Sequence, residues 1–239
     1  MKKFLSVLTA LTLVAMLCMV ASAGAIEGFT AAQGHEDLFN MKDEAISCKS
    51  AGNPILLYNT DTKNADYTVE VKVKPSSDSE SYAVVGVGST TTWIAGLFLK
   101  LSNKSAELYD FSTGAFVGMD MKKGVTVASL KITSDYNDVK IVKKSGKYSI
   151  YVNNVLAYEN VAPADTKDLG TKISLGANNT KEVECFFKDF KYSLGAGSTT
   201  STTTNNTETA DNMTVTFISV ISMLVAAAGV YCLKAKYSK

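Results

Sequence analysis

The middle of this sequence alternates apolar and polar residues, and it does so in one short segment after another. Between Tyr67 and Lys74 every odd position is apolar and every even position is polar. A period of two places the apolar side chains on one face of a β-strand. No window of ten residues in this region has a convincing helical period. The remaining predicted strands are Ile55–Asn59, Tyr82–Gly88, Trp93–Ser102, Ala106–Phe111, Val125–Thr133, Val139–Val142, Tyr148–Asn153, Val155–Tyr158, Lys172–Ala177 and Val183–Ser193.

Turn signals separate these strands, and they include Pro75-Ser-Ser-Asp78, Lys144-Ser-Gly146 and Asn153-Asn154. Asn tolerates the left-handed backbone conformation, so Asn153-Asn154 predicts a tight hairpin. About ten short strands at this spacing are typical of a β-sandwich or jelly roll. We therefore predict one all-β domain at residues 34–194, preceded by a lead-in at residues 24–33.

Both ends of the chain have the composition of export and anchoring segments. Lys2 and Lys3 precede an apolar run, and Ala21-Ser22-Ala23 supplies the small residues of a cleavage site, which predicts a signal peptide at residues 1–23. Residues 213–233 carry no charge and, as a helix, are about 31 Å long, enough to cross a bilayer. The Lys-rich tail at residues 234–239 predicts a cytoplasmic C-terminus and an extracellular domain at the cell surface.

Residues 195–212 are dominated by Ser, Thr and Asn, which predicts a flexible stalk. The end of this stretch resembles a Gram-positive sortase signal of the Pro-x-Thr-Ala-Asp type. Thr209, Ala210 and Asp211 fit that pattern, whereas Thr207 stands in place of the proline. The resemblance implies a sortase as a partner, and simple retention by the helix is the alternative.

Net charge argues against nucleic acid as a partner. The 24 basic residues are all Lys, and five of them lie in the signal peptide or the tail. Nineteen lysines then face 23 acidic residues, so the exported part has a net charge of about −4. No basic footprint for nucleic acid is expected from such a domain.

The strand order resembles the concanavalin A-like, laminin-G-type jelly roll of lectins and glucanases. The features that carry the resemblance are Tyr151-Val-Asn-Asn154, Gly170-Thr-Lys-Ile-Ser-Leu-Gly176 and Phe187-Lys-Asp-Phe190. The resemblance implies a two-sheet sandwich whose first and last strands are neighbours. It also implies that sugar binding is a frequent function of the fold.

Cys48 and Cys185 are the two cysteines outside the signal peptide and the membrane segment. An even number in an exported domain predicts a disulfide, and the neighbouring terminal strands implied by the resemblance favour it. The alternative is a pair of buried free thiols.

Sugar recognition needs an aromatic face beside polar side chains that bond hydroxyl groups. Trp93 is the single tryptophan, and it is also consistent with plain core packing. Residues of adjacent strands and loops complete the candidate ligand set, which is Trp93, Tyr109, Asp110, Tyr82 and Asn103. The oxygen-rich loop with Asp135, Asn137 and Asp138 is a candidate calcium site, or an ordinary turn.

Catalysis has weaker support in the sequence. The Glu-x-Asp-x-x-Glu motif of the retaining glucanases is absent, and His35 is the single histidine. The nearest carboxylate groupings are Glu182-Val-Glu184 and Glu107-Leu-Tyr-Asp110. The leading interpretation is a non-catalytic surface module that binds an extracellular glycan and needs no cofactor. The alternatives are a module that binds a surface protein and a glycoside hydrolase with an atypical carboxylate pair.

Overall fold

The computed structural model describes residues 26–62, 65–91, 95–167 and 169–195, with the backbone of Thr202–Thr203. The predicted signal peptide, membrane helix and tail, most of the stalk, and Trp93 lie outside these residues. Within them, no helix is long and apolar enough to cross a membrane. The strands are β1 (Phe29–Ala31), β2 (Phe39–Lys42), β3 (Ala45–Gly52), β4 (Ile55–Tyr58), β5 (Tyr67–Lys74), β6 (Tyr82–Ser89), β7 (Leu97–Leu101), β8 (Ala106–Asp110), β9 (Val117–Met119), β10 (Asn137–Lys144), β11 (Lys147–Val152), β12 (Val155–Val161), β13 (Lys172–Leu194) and β14 (Thr202–Thr203). Two short 3-10 helices occupy Glu36–Leu38 and Val127–Leu130.

The strands form two antiparallel layers that share one long strand. The front sheet has the order β1-β4-β13-β6-β7-β8-β9, and the back sheet has the order β12-β11-β10-β5-β13-β3-β2. The first part of β13 pairs with β4 and β6, while its last part pairs with β3 and β5. The 23 residues of β13 therefore belong to both sheets.

The core lies between the inner faces of the two sheets. Period-two alternation places Leu97, Leu99 and Leu101 of β7 inside, opposite the inward side chains of the back sheet, such as Ile141 and Phe187. All of these are at most 1% exposed. This burial of apolar area is the main force that holds the two sheets together.

The all-β prediction is confirmed, and so are the two hairpin turns. Lys144 pairs with Lys147 and Val152 pairs with Val155, across turns whose central residues have positive φ angles, including Asn153 and Asn154. Two positive φ angles define the type I′ turn that suits a right-handed strand twist. The structure therefore uses the asparagines as the sequence predicts.

Two local strand predictions are wrong. The predicted strand Val125–Thr133 contains a 3-10 helix, because the side chain of Thr126 caps the backbone N–H of Ser129 and the Ser129 side chain returns the contact. Lys172–Ala177 and Val183–Ser193 are parts of one strand, with a register shift between Asn179 and Val183. Strand β1 lies inside the predicted lead-in, and it pairs with β4.

Cys48 and Cys185 lie directly opposite each other on β3 and β13, which confirms that these strands are neighbours. Both cysteines are buried and carry free thiols. The structure thus shows no disulfide between them, and the pairing stays a prediction. The pKa of the Cys185 thiol is raised well above its usual value, first by its contact with the Cys48 thiol and then by burial.

Buried tyrosines predict a loss of stability at alkaline pH. Burial raises the pKa of Tyr67 well above its usual value, and burial raises the pKa of Tyr158 to about 12. Because an unfolded tyrosine titrates near pH 10, the stabilisation is complete below about pH 10 and is lost as the pH rises through about 12. We expect the thermal unfolding midpoint to fall over that interval. Phenolate absorbance, followed in parallel, should show these tyrosines ionising only as the protein unfolds; complete ionisation of every tyrosine near pH 10 would contradict the prediction.

Candidate functional site

The outer face of the front sheet carries a cluster of aromatic and charged side chains. In β7, the residues between the inward leucines are Phe98 and Lys100, so both point outward. The register places Lys100 opposite Glu107 of β8 and Phe98 opposite Tyr109. We call this cluster the outer patch, and its members are Tyr82, Phe98, Lys100, Glu107, Tyr109 and Phe116.

Glu107 is the centre of hydrogen bonding in the outer patch. The Tyr109 hydroxyl donates to Glu107 Oε2 at 2.9 Å, and Ser105 Oγ donates to Glu107 Oε1 at 3.1 Å. The Tyr82 hydroxyl donates to Oε1 over a longer distance of 3.5 Å. This carboxylate therefore fixes the orientation of three hydroxyl groups contributed by β6, β8 and the turn before β8.

The phenols of the outer patch are held in their neutral form. The hydrogen bond that Tyr109 donates to Glu107 raises the pKa of its hydroxyl, with burial adding to the effect. Burial, followed by the negative charge of Glu107, raises the pKa of Tyr82. Both hydroxyls therefore stay protonated at neutral pH and keep their donor hydrogens on the carboxylate.

Lys100 lies between two aromatic rings. Its Nζ is 4.1 Å from the centre of the Tyr82 ring and 5.2 Å from the centre of the Tyr109 ring. Both distances are within the range of cation–π attraction. Burial lowers the pKa of Lys100, and the charge of Glu107 opposes that change. The lysine therefore packs its stem and its ammonium group against the rings.

The apolar part of the outer patch is a row of stacked rings. Phe98 and Tyr109 stack with ring centres 5.6 Å apart and planes inclined by 15°. Phe116 contacts Phe98 edge-on at 5.8 Å and is 70% exposed. Gly118 lies opposite Tyr109 on β9 and has no side chain to cover the Tyr109 ring. A Cβ at this position would lie 3.8 Å from Tyr109 Cε1 and would contact the ring. Phe98 itself is only 4% exposed, so the apolar surface that reaches solvent beside the polar centre comes from the half-buried Tyr109 and the exposed Phe116.

A model of the 3-keto-alpha-glucoside-1,2-lyase-like domain family matches residues 23–192. The chain belongs to this family. The family has the concanavalin A-like jelly-roll fold, so the resemblance found in the sequence is confirmed.

Solved structures with a similar fold include the carbohydrate-binding module CBM66 from Bacillus subtilis. The module is 14% identical to this chain, with a TM-score of 0.52, and the match covers 70% of this chain and 96% of the module. Alginate lyase AlgAT5 of polysaccharide lyase family 7 is 14% identical over 69% of this chain and 88% of its own, with a TM-score of 0.45. The binding domain of botulinum neurotoxin serotype D is 16% identical over 71% of this chain and 44% of that chain, with a TM-score of 0.46. No curated protein matches the sequence.

Two of the predicted ligand residues lie together in the outer patch, and two others lie elsewhere. Tyr82 and Tyr109 join at Glu107. Asp110 follows Tyr109 and so points to the opposite face of β8, where it is buried and accepts hydrogen bonds from the backbone N–H groups of Ser112 and Ala164. Asp110 therefore lies apart from the outer patch.

Asn103 lies in the turn between β7 and β8. Its Nδ2 donates to the backbone oxygen of Ser77 at 2.7 Å, which ties this turn to the loop before β6. We therefore assign Asn103 to positioning of the loops at that end of the front sheet. Trp93, the remaining predicted ligand residue, lies outside the described residues.

The predicted calcium loop is organised by Asn137. Its Nδ2 donates to the backbone oxygens of Thr133 and Asp135, and its Oδ1 accepts from Thr133 N and Asn153 Nδ2. Because both ends of the amide are already hydrogen-bonded, Asn137 stabilises the turn. Across the described ranges, no group of three or more His, Cys, Asp or Glu residues is placed to hold a metal. Calcium binding by Asp135, Asn137 and Asp138 stays a prediction for a direct titration.

The other carboxylate candidates are engaged elsewhere. Glu182 and Glu184 form ion pairs with Lys49 and Lys42 on the back sheet, at 2.9 and 3.1 Å. His35 accepts a hydrogen bond from the backbone N–H of Ile55 through Nδ1. These side chains therefore make local contacts, and none of these contacts involves a residue of the outer patch.

Sequence reasoning missed Phe98, Lys100 and Phe116 and gave Glu107 only a catalytic role. One signal was available: Lys100 interrupts the apolar segment Leu97-Phe-Leu-Lys-Leu101, which is costly unless the lysine has a specific environment. Glu107 and Tyr109 also share a strand face by their spacing of two. The contribution of Phe116 depends on where the chain between β8 and β9 folds, which periodicity does not predict.

Proposed function

We propose that this chain carries a non-catalytic carbohydrate-binding module at a cell surface, and that the outer patch contacts the sugar. The observation that carries the proposal is the half-buried ring of Tyr109, which stacks on the buried Phe98 and donates to the carboxylate of Glu107, with the exposed ring of Phe116 next to Phe98. A sugar ring has apolar C–H faces and a rim of hydroxyl groups. An aromatic surface next to fixed polar atoms matches both parts.

Two further observations support a carbohydrate-related function. The family is described by its action on a glucoside, and a carbohydrate-binding module shares the fold. The cell-surface location rests on the sequence of residues 1–23 and 213–233. Under this proposal, the stalk at residues 195–212 presents the domain to extracellular glycans.

Tyr109→Ala is expected to weaken glycan binding by at least about tenfold, because it removes half of the ring stack and one donor to Glu107. Binding of the purified full chain is measured by a glycan array, followed by calorimetry on the best ligand, with and without calcium. Tyr151→Ala on the back sheet is the matched control, and it should leave binding unchanged. Equal affinity of the two variants would remove the outer patch from the proposal. Absence of binding to any glycan would favour a protein partner instead.

Catalysis is the second candidate, and the family description favours it. Elimination from a 3-keto-glucoside needs a general base for a proton made acidic by the neighbouring ketone. Glu107 is the carboxylate of the outer patch and is the candidate base. Incubation of the full chain with a 3-keto-glucoside distinguishes the two functions: a binding module yields no product, whereas an enzyme yields product that Glu107→Gln abolishes.

A further inference from the structure

The hydrogen bonds of the outer patch all run in one direction. Ser102 Oγ and Ser105 Oγ are 3.0 Å apart, and Ser105 Oγ is also 3.1 Å from Glu107 Oε1. Because a carboxylate only accepts, Ser105 donates to Glu107 and Ser102 donates to Ser105. The hydroxyls of Tyr82 and Tyr109 donate to the same carboxylate. Every one of these hydrogens is therefore committed to the interior of the cluster.

Apart from the ammonium group of Lys100, what the hydroxyls and the carboxylate leave for a ligand is a set of acceptors. Each phenol oxygen that donates to Glu107 keeps lone pairs for an incoming donor, and the carboxylate itself is an acceptor. A sugar hydroxyl can donate to these atoms. The carboxylate of a uronic acid or a sulfate brings only lone pairs and a second negative charge, and would leave acceptors facing acceptors.

Lys100 does not reverse this preference. Its ammonium group lies over the rings of Tyr82 and Tyr109, and the charge of Glu107 acts directly upon it. One further acidic group, Glu80, acts on Tyr82. Asp78 is paired with Lys181 at 3.1 Å. The charges around the outer patch are thus balanced or acidic, which disfavours an anionic ligand.

We propose, on the basis of the function proposed above, that the outer patch selects an uncharged glycan rich in hydroxyl donors and rejects glycans that carry carboxylate or sulfate groups. The selectivity arises from hydrogen-bond polarity, because the carboxylate of Glu107 orients the surrounding hydroxyls as acceptors towards the ligand.

The test compares neutral and acidic probes on the full chain. The neutral probes are maltoheptaose, cellohexaose and inulin, and the acidic probes are alginate and polygalacturonate, all measured by calorimetry at low and moderate salt. The native chain is expected to bind a neutral probe and neither polyuronate. In Glu107→Gln, the amide keeps the size of the side chain and removes its charge, so affinity for the neutral probe should fall about tenfold and the discrimination against polyuronate should shrink.

Glu159→Gln is the matched control, because Glu159 lies on β12 of the back sheet in an ion pair with Lys122. It should behave as the native chain. Tighter binding of a polyuronate than of every neutral probe overturns the selectivity while leaving the proposed function in place. Binding of no probe and of no glycan on the array overturns the proposed function, and the selectivity with it. Equal melting temperatures of the two variants establish that Glu107→Gln is folded.

Discussion

Replacement of Tyr158 by alanine is expected to lower the free energy of unfolding by about 3–5 kcal/mol. Tyr158 lies on β12 of the back sheet and is 1% exposed, and its hydroxyl reaches across the core to β8 of the front sheet. Strand β9 pairs with β8 only from Leu108 onward, so among the described residues no strand pairs with the start of β8 on that side. The Tyr158 hydroxyl satisfies the open positions: it accepts from Leu108 N at 3.1 Å and donates to the backbone oxygen of Ala106 at 3.2 Å.

Tyr158→Phe separates the two contributions of this residue. It keeps the ring and leaves two buried backbone groups unsatisfied, so about 1–3 kcal/mol of the loss should remain. Chemical denaturation, with the midpoint and slope fitted for each variant, measures both values. A loss below about 1 kcal/mol for the alanine variant would show that the contact between the sheets contributes little. Since β8 carries Glu107 and Tyr109, glycan affinity should fall in the phenylalanine variant as well.

The second large effect is expected for Gly96→Ala, about 2–5 kcal/mol of destabilisation. Gly96 has a φ of 86°, in the left-handed region, and a Cβ there would lie 2.6 Å from the backbone oxygen of Val87 and 3.0 Å from Leu169 Cδ2. Its own backbone oxygen accepts from Phe111 N at 2.8 Å, so the segment is not free to move away. Backbone strain and steric overlap therefore act together at this position.

Gly114→Ala is a control in which backbone strain is present and steric overlap is not. Gly114 has a similar φ of 78°, and no atom lies within 4 Å of the position of its missing Cβ. The control should cost about 1–2 kcal/mol from backbone strain alone. The difference between the two variants, measured by denaturation under one set of conditions, gives the cost of overlap. Equal losses would mean that the Val87 backbone yields readily to a methyl group.

The sequence predicts most of the fold for a simple physical reason. Alternation in β5 shows which side faces the core, and turn residues such as Asn153-Asn154 show where the chain reverses. β1 to β3 and β9 were missed because these segments mix small, polar and charged residues, and their pairing with distant partners determines their structure. The 3-10 helix at Val127–Leu130 depends on a capping exchange between Thr126 and Ser129.

The candidate site was predicted less well than the fold. Tyr82 and Tyr109 are predicted ligand residues, and in the structure the hydroxyls of both donate to Glu107. The missing element was Glu107, whose importance depends on three hydroxyls that converge from separate segments of the chain. Asp110 lies apart from Tyr109 because successive residues of a strand point to opposite faces. Convergence of this kind follows from register, which one sequence reveals only in part.

The position of β13 has a consequence for the order in which the protein can be made and folded. Residues 172–194 supply an interior strand of both layers, so neither layer can close before this segment has left the ribosome. Such contacts between distant parts of the chain make folding slow compared with a helical protein of equal size. The domain is therefore expected to fold only after all of its residues have been synthesised. In a nascent chain that lacks β13, neither sheet is complete and apolar strand faces stay exposed.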